Sequence, residues 1–217
     1  MSSKQKASSV SNANFKQALG IHLLIALMGE LKLLRDHPPL TRHLDGHYEG
    51  QILGFVRGLR LSAGVIYFLR ERLSATNLEV AWGHLVDDAR DSCSPECDVI
   101  VHKKGHVAKW NGTEDPVMVF KFVKASSARA IVSCKSKLTD IDKSYPKSLK
   151  KYGVADIFLF AECCQENDFP KLEKAAKKAG YRGLWCLYLT DKDSPSFRTD
   201  EKMLINFGDA VHKAVSR

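Results

Sequence analysis

Arg129-Ala130-Ile131-Val132-Ser133-Cys134-Lys135 reads as a β-strand, because apolar and β-branched residues run through it with no glycine or proline. Side chains alternate along a strand, so Ile131, Ser133 and Lys135 share one face while Val132 and Cys134 share the other. A lysine that ends an otherwise apolar strand must reach solvent or meet an anion, since a buried unpaired ammonium is costly. Cys134, on the face away from Lys135, is expected in the core. Upstream, Ser94-Pro95-Glu96-Cys97-Asp98 opens a second strand, Val99-Ile100-Val101, and sets a carboxylate at its mouth.

Working outward, residues 1–12 are polar and Ser-rich, which predicts a disordered tail. From Phe15 to Leu34 apolar residues recur every three or four positions, giving a helix that ends before Pro38-Pro39. A second helical region runs from about Leu44 to Leu73, with Gly50, Gly54, Gly58 and Gly64 weakening it. After Ser74 short β-prone runs follow at 78–82, 98–102, 117–123 and 129–135. A helix at 139–151, a strand at 157–161, a helix at 170–179, a strand at 183–189 and a last helix near 200–215 complete the pattern. Gly180 suits a helix stop. Helices, then a block of strands, then alternation predict an α/β fold with a mixed central sheet flanked by helices on both faces. We read residues 13–217 as one domain, with 13–73 its helical N-terminal part and 74–217 its sheet core.

The 217 residues, 44% hydrophobic and 27% charged, suit a globular protein and exclude collagen, coiled coil and general disorder. The net charge of +8 is local. Residues 101–151 carry 12 basic side chains against four acidic ones, and the remainder balances. Such a field attracts polyanions; a solvated lysine-rich face is the alternative. The longest apolar run, Ile21–Met28, falls far short of the ~20 residues a bilayer requires, and no small-residue cleavage site follows it. It reads as a helix core, and no membrane partner is expected. Six cysteines form no dense disulfide framework, and three lie in apolar strand-like runs, so a reducing, cytoplasmic setting is expected.

Pro95 and Asp98 in SPECDVIVH, followed by AIVSCKSKLT across residues 130–139, resemble the PD-(D/E)XK nuclease superfamily, the restriction-endonuclease-like fold. The chain is most similar to a bacterial subfamily with SPQxDIII and AVIEVKSxLT segments, over roughly residues 45–190. The resemblance implies a metal-dependent DNA endonuclease of a restriction, defence or repair system, using Mg²⁺ or Mn²⁺. Asp98 would then hold the metal, and Lys135 would position or activate the attacking water. DNA would be the substrate, with a homodimer or a partner subunit as the working assembly. Ser133 stands where the superfamily has its second acid, and a hydroxyl is a much weaker Mg²⁺ ligand than a carboxylate. Glu49, which resembles a helix acid of the subfamily, would be the replacement, with Glu96 and Glu79 as further options. Two readings stay open: a working nuclease with a relocated acid, and a degenerate site in a retained fold that binds nucleic acid or a partner.

Other residues carry weaker readings. Lys143, Lys147 and Lys150 recur at helical spacing and, with Lys103, Lys104 and Lys137, either line a phosphate track or form a solvated face. Trp82 and Trp185 sit in apolar runs and are expected in the core, whereas Trp110, beside Lys109, is the aromatic placed to contact DNA. Cys93 and Cys97, with His84, His102 and His106 nearby, have half the spacing of a zinc site, although structural thiols are the simpler reading.

Overall fold

The structure, a computed structural model, describes residues 46–106, 120–191, 197–199 and 201–217. The expected tail, the helix from Phe15 and Trp110 lie outside the described residues. The chain divides into two compact units, Met1–Arg60 and Leu61–Arg217, and everything that follows concerns the second unit unless stated.

Helix α1 spans Gly46–Arg72, its glycines included. Leu61, Val65, Leu69 and Leu73 are buried at four-residue intervals, the stripe a helix needs to join a core. The strands are β1 (Leu78–Asp87), β2 (Ser92–Cys93), β3 (Cys97–Lys103), β4 (Phe120–Lys124), β5 (Ala128–Leu138), β6 (Asp156–Gln165), β7 (Leu184–Thr190) and β8 (Phe197–Thr199). Three further helices are α2 (Ser144–Lys150), α3 (Phe169–Ala179) and α4 (Glu201–Val215). The strands form one sheet in the order β2-β1-β3-β5-β6-β7-β8, with β4 also paired to β1. β5, β6 and β7 are parallel to one another, β3 is antiparallel to both β1 and β5, and β8 is antiparallel to β7. This is the mixed sheet expected from the element order.

The two faces of the sheet differ. On one, Ile131, Ile157, Leu159 and Leu184 form a cluster with Leu149 of α2 and Leu172 and Ala176 of α3. On the other, Phe158, Phe160 and Trp185 gather around Phe207 of α4 at ring-centroid distances of 4.6–6.5 Å. Cys134 is buried and its thiol meets the Ser62 hydroxyl of α1, as its place on the strand implied.

Two backbone features shape the site. Ala81 pairs with Ile100 but Gly83 pairs with Cys97, so β3 carries one residue more than β1 across this interval. Asp98 and Val99 together face Trp82. A bulge of this kind re-aims a side chain, and here the residue concerned is Asp98. Gly83 has φ +147°, and a Cβ there would lie 1.9 Å from the Lys121 carbonyl oxygen, so only glycine lets β4 approach β1. At the end of α3, Gly180 adopts φ +108° and its N–H reaches the Ala176 and Lys177 carbonyls, the expected helix stop.

Candidate active site

The antiparallel register pairs Val99 with Val132 and Ile100 with Ile131, which puts Asp98 across from Ser133. Asp98 Oδ2 accepts the Cys134 backbone N–H at 2.8 Å, and its carboxylate is also hydrogen-bonded to the Ser133 side chain. Lys135, two residues further along the same face of β5, is exposed and lies close enough to stabilise the Asp98 charge. An acid and an ammonium 37 positions apart in sequence therefore converge, with a buried hydroxyl between them. Burial pushes the Asp98 carboxyl above its ordinary range; the Cys134 N–H, Lys135 and Ser133 pull it back, while the like charge of Glu96 adds to the rise.

Two phenols that sequence reasoning missed stand beside this group. Tyr145, in the first turn of α2, donates its hydroxyl to the Glu96 carbonyl at 3.2 Å and meets the Cys97 thiol. Tyr181 donates to the Asp142 carbonyl at 3.2 Å. Burial raises both phenols well above the usual tyrosine range, with Asp98 adding to each, so both stay neutral hydrogen donors. Burial likewise pushes the Cys97 thiol up to about 11, which leaves it inert at neutral pH. Asp142 prepares the start of α2: its Oδ1 accepts from Ser144 Oγ at 2.6 Å, Ser144 N–H at 2.8 Å and Tyr145 N–H at 3.2 Å. The Ser144 hydroxyl bond is the main reason its carboxyl lies below the ordinary value, and Lys135 contributes. That cap explains why the helix starts at Ser144 and not at Thr139 as the periodicity suggested. The Asp-Lys-Ser-Tyr run held the signal, since an aspartate two residues before a serine is a turn-forming pattern.

The acids proposed to replace the missing one separate clearly. Glu79, on β1, lies 3.9 Å from His102 Nε2 and 3.8 Å from Lys121 Nζ, at the end of the sheet away from Asp98. Glu96 is exposed, and its Oε1 accepts the Trp82 indole N–H at 2.6 Å. It is close enough to Asp98 to act on its charge. The Glu49 side chain lies outside the described residues. Glu162, on β6, is fully buried and accepts a hydrogen bond from the Tyr188 hydroxyl. Among the described residues, no group of three or more His, Cys, Asp or Glu side chains is arranged to hold a metal ion. Cys97 is buried and Cys93 exposed, and none of the six cysteines is in a disulfide. The donors at Asp98 are oxygens, and Mg²⁺ keeps several waters while binding through one or two carboxylates. A hydrated Mg²⁺ would use such oxygen donors, and the described residues offer too few for a closed protein cage.

Among the lysines, Lys137, Lys143, Lys147 and Lys150 are exposed, on β5 beyond Lys135 and on or beside α2. Lys103 and Lys104 are exposed at the far end of β3, about 17 Å from Asp98 at ~3.3 Å per residue. The structure does not bring them to the site. Trp82 departs from expectation, being half-exposed and tied to Glu96, whereas Trp185 is part of the aromatic core. Trp82 lies opposite the bulge.

A mixed sheet whose third and fourth elements in spatial order present an acid and an x-Lys ending, flanked by helices on both faces, defines a protein of restriction-endonuclease-like fold. Two solved structures share it. NucC from P. aeruginosa ATCC27853, in its cAAA-bound form, superposes with a TM-score of 0.56 at 15% identity, covering 91% of each chain. NucC from E. coli MS115-1, also cAAA-bound, gives 0.56 at 13% identity over 91% of this chain and 90% of that one. No protein-family profile and no curated protein matches the sequence. At such identity the likeness is one of fold.

Proposed function

We propose that this protein is a metal-dependent DNA endonuclease of a restriction, defence or repair system, with Asp98 holding Mg²⁺ or Mn²⁺ and Lys135 at the attacking water. The observation that supports this reading is the meeting of Asp98, Ser133 and Lys135 on one sheet face, where Lys135 stays open to solvent. The fold shared with the cAAA-bound NucC structures agrees with it. A bound divalent ion would supply charge neutralisation and a more acidic water. Asp98 holds the oxygen donor rigidly through the Cys134 N–H. Lys135 places a cation where negative charge develops on the phosphate as water oxygen adds to phosphorus and one bridging P–O bond breaks. Tyr145 and Tyr181 stand near enough to Asp98 for its charge to act on their phenols. DNA is the partner, acted on by a homodimer or with a partner subunit, in a cytoplasmic setting; no helix among the described residues is long and apolar enough to cross a membrane.

One observation favours a second reading, a nuclease fold that binds nucleic acid or a partner without cutting: Ser133 supplies no charge where a second acid would stand. Incubating plasmid and linear DNA with Mg²⁺ or Mn²⁺ decides between them. Nicking by the wild type, reduced at least ~100-fold in both Asp98→Ala and Lys135→Ala, supports the enzyme. Equal behaviour of all three proteins removes it.

A further inference from the structure

Beside the site lies an open cleft of about 560 Å³, walled by Lys150 at the end of α2, Gly153, Lys177 in the last turn of α3, Gly180, Tyr181 and Arg182. Three cations from three different segments converge on it. Arg182 Nε is held by Asp156 at 2.6 Å, which leaves the outer guanidinium nitrogens for a ligand, and Lys177 is steadied by Glu173 at 2.7 Å. The Lys150 ammonium extends over Gly180, where a Cβ would come within 3.1 Å of it. The absence of a side chain at Gly180 keeps that lysine at the rim.

Tyr181 connects the cleft to the site. It is one of the residues lining the cleft, while its hydroxyl donates to the Asp142 carbonyl and its phenol is influenced by Asp142 and Asp98. Lys143, Lys147 and Lys150 are exposed along one side of α2 between the two, and no acidic residue intervenes from 143 to 151. Seven residues of helix span about 10 Å, enough to run alongside about two successive phosphates of one strand.

We propose that the cleft is a phosphate-binding groove for the nucleic-acid strand leaving the Asp98–Lys135 site, with Lys150, Lys177 and Arg182 on its phosphodiesters and Lys143 and Lys147 bridging to the site. This inference rests on the nuclease reading for its direction but not for its chemistry, since phosphate contacts give affinity and salt dependence whether or not the strand is cut.

The test measures binding of labelled 20-nucleotide single-stranded and duplex DNA over a range of salt, in the full-length Asp98→Ala background. The triple variant Lys150→Gln/Lys177→Gln/Arg182→Gln is compared with Lys202→Gln/Lys213→Gln/Arg217→Gln, which removes equal charge from α4 and the C-terminus on the other side of the sheet. The cleft variant should bind at least roughly tenfold more weakly at low salt and reduce the slope of log K against log salt by about two, while the control changes little. Arg182→Lys alone should retain most of the slope. Equal effects of the two triple variants overturn the groove. So does a trinucleotide that binds as tightly as the long strand with the same sensitivity to the cleft variant, since that marks a small-nucleotide pocket. Metal-dependent cleavage by the protein with Asp98 intact, together with an unchanged slope in the cleft variant, sinks the groove and leaves the nuclease standing; a lost slope with no cleavage by the Asp98-intact protein under any metal does the reverse.

Discussion

The two faces of the sheet are built from the same strands and carry opposite chemistry. Toward α4, Phe158, Phe160, Trp185 and Phe207 interlock, and Cys134 is sealed against α1. Toward α2 and α3, the apolar cluster of Ile131, Ile157 and Leu159 gives way to Asp98, Ser133 and Lys135 within two residues along β5. Strand alternation makes this division possible, because one strand can hold a core with its even positions and a site with its odd ones. The first face secures the fold and the second spends some of that stability on a half-buried acid.

If so, substitutions on the two faces must fail differently. The largest loss is expected from Phe207→Ala, which removes a fully buried ring that touches four aromatics. It should cost about 3–5 kcal/mol in urea unfolding; a cost near that of a surface residue would show that the aromatic face is not the anchor. Gly83→Ala comes next, since the new methyl collides with the Lys121 backbone and the positive φ alone costs about 1–3 kcal/mol. Loss of hydrogen-exchange protection should be concentrated in β4. Asp142→Ala removes the acceptor for three donors at the start of α2 and should cost about 1 kcal/mol. Asp142 has a lowered carboxyl pKa, so its contribution is present above the unfolded value near 3.8 and fades as pH falls through its folded value. The wild type should therefore lose its advantage over the variant on acidification.

The smallest effect has the opposite sign. Asp98 has a raised pKa, so the folded state holds its proton more tightly than the unfolded chain, and ionisation of Asp98 works against folding as pH rises through that folded value. Metal-free Asp98→Asn should unfold at a slightly higher temperature than the wild type at neutral pH and show no difference at low pH. A lower melting temperature at neutral pH would mean that the carboxylate is a structural hydrogen-bond acceptor and nothing more.

Much of this division is readable in the sequence. The strand read at 129–135, the middle of β5, the strand opened by Asp98 and the shared face of Ser133 and Lys135 follow from period-two alternation, and the Gly180 stop follows from glycine chemistry. β2 and β8, two and three residues long, carry too little pattern to be seen. Trp82 misleads because its neighbours are apolar, while its actual setting depends on the extra residue in β3, which no local pattern announces. The partners of Asp98 are illegible for a related reason. Glu79 and Glu96 are equally plausible in a linear reading, and only strand register sends one to His102 and the other beside Asp98. Tyr145 joins the site from α2 and Tyr181 from the turn after α3, both through long-range contacts.

The central claim is that the Asp98 face is built to hold a divalent cation beside Lys135, and calorimetric titration of Mn²⁺ into the wild type, Asp98→Asn and Ser133→Glu tests it most directly. Ser133→Glu should bind at least roughly tenfold more tightly than the wild type, because a hard cation gains a second carboxylate, and Asp98→Asn should lose the site. Identical heats from all three proteins would contradict the claim.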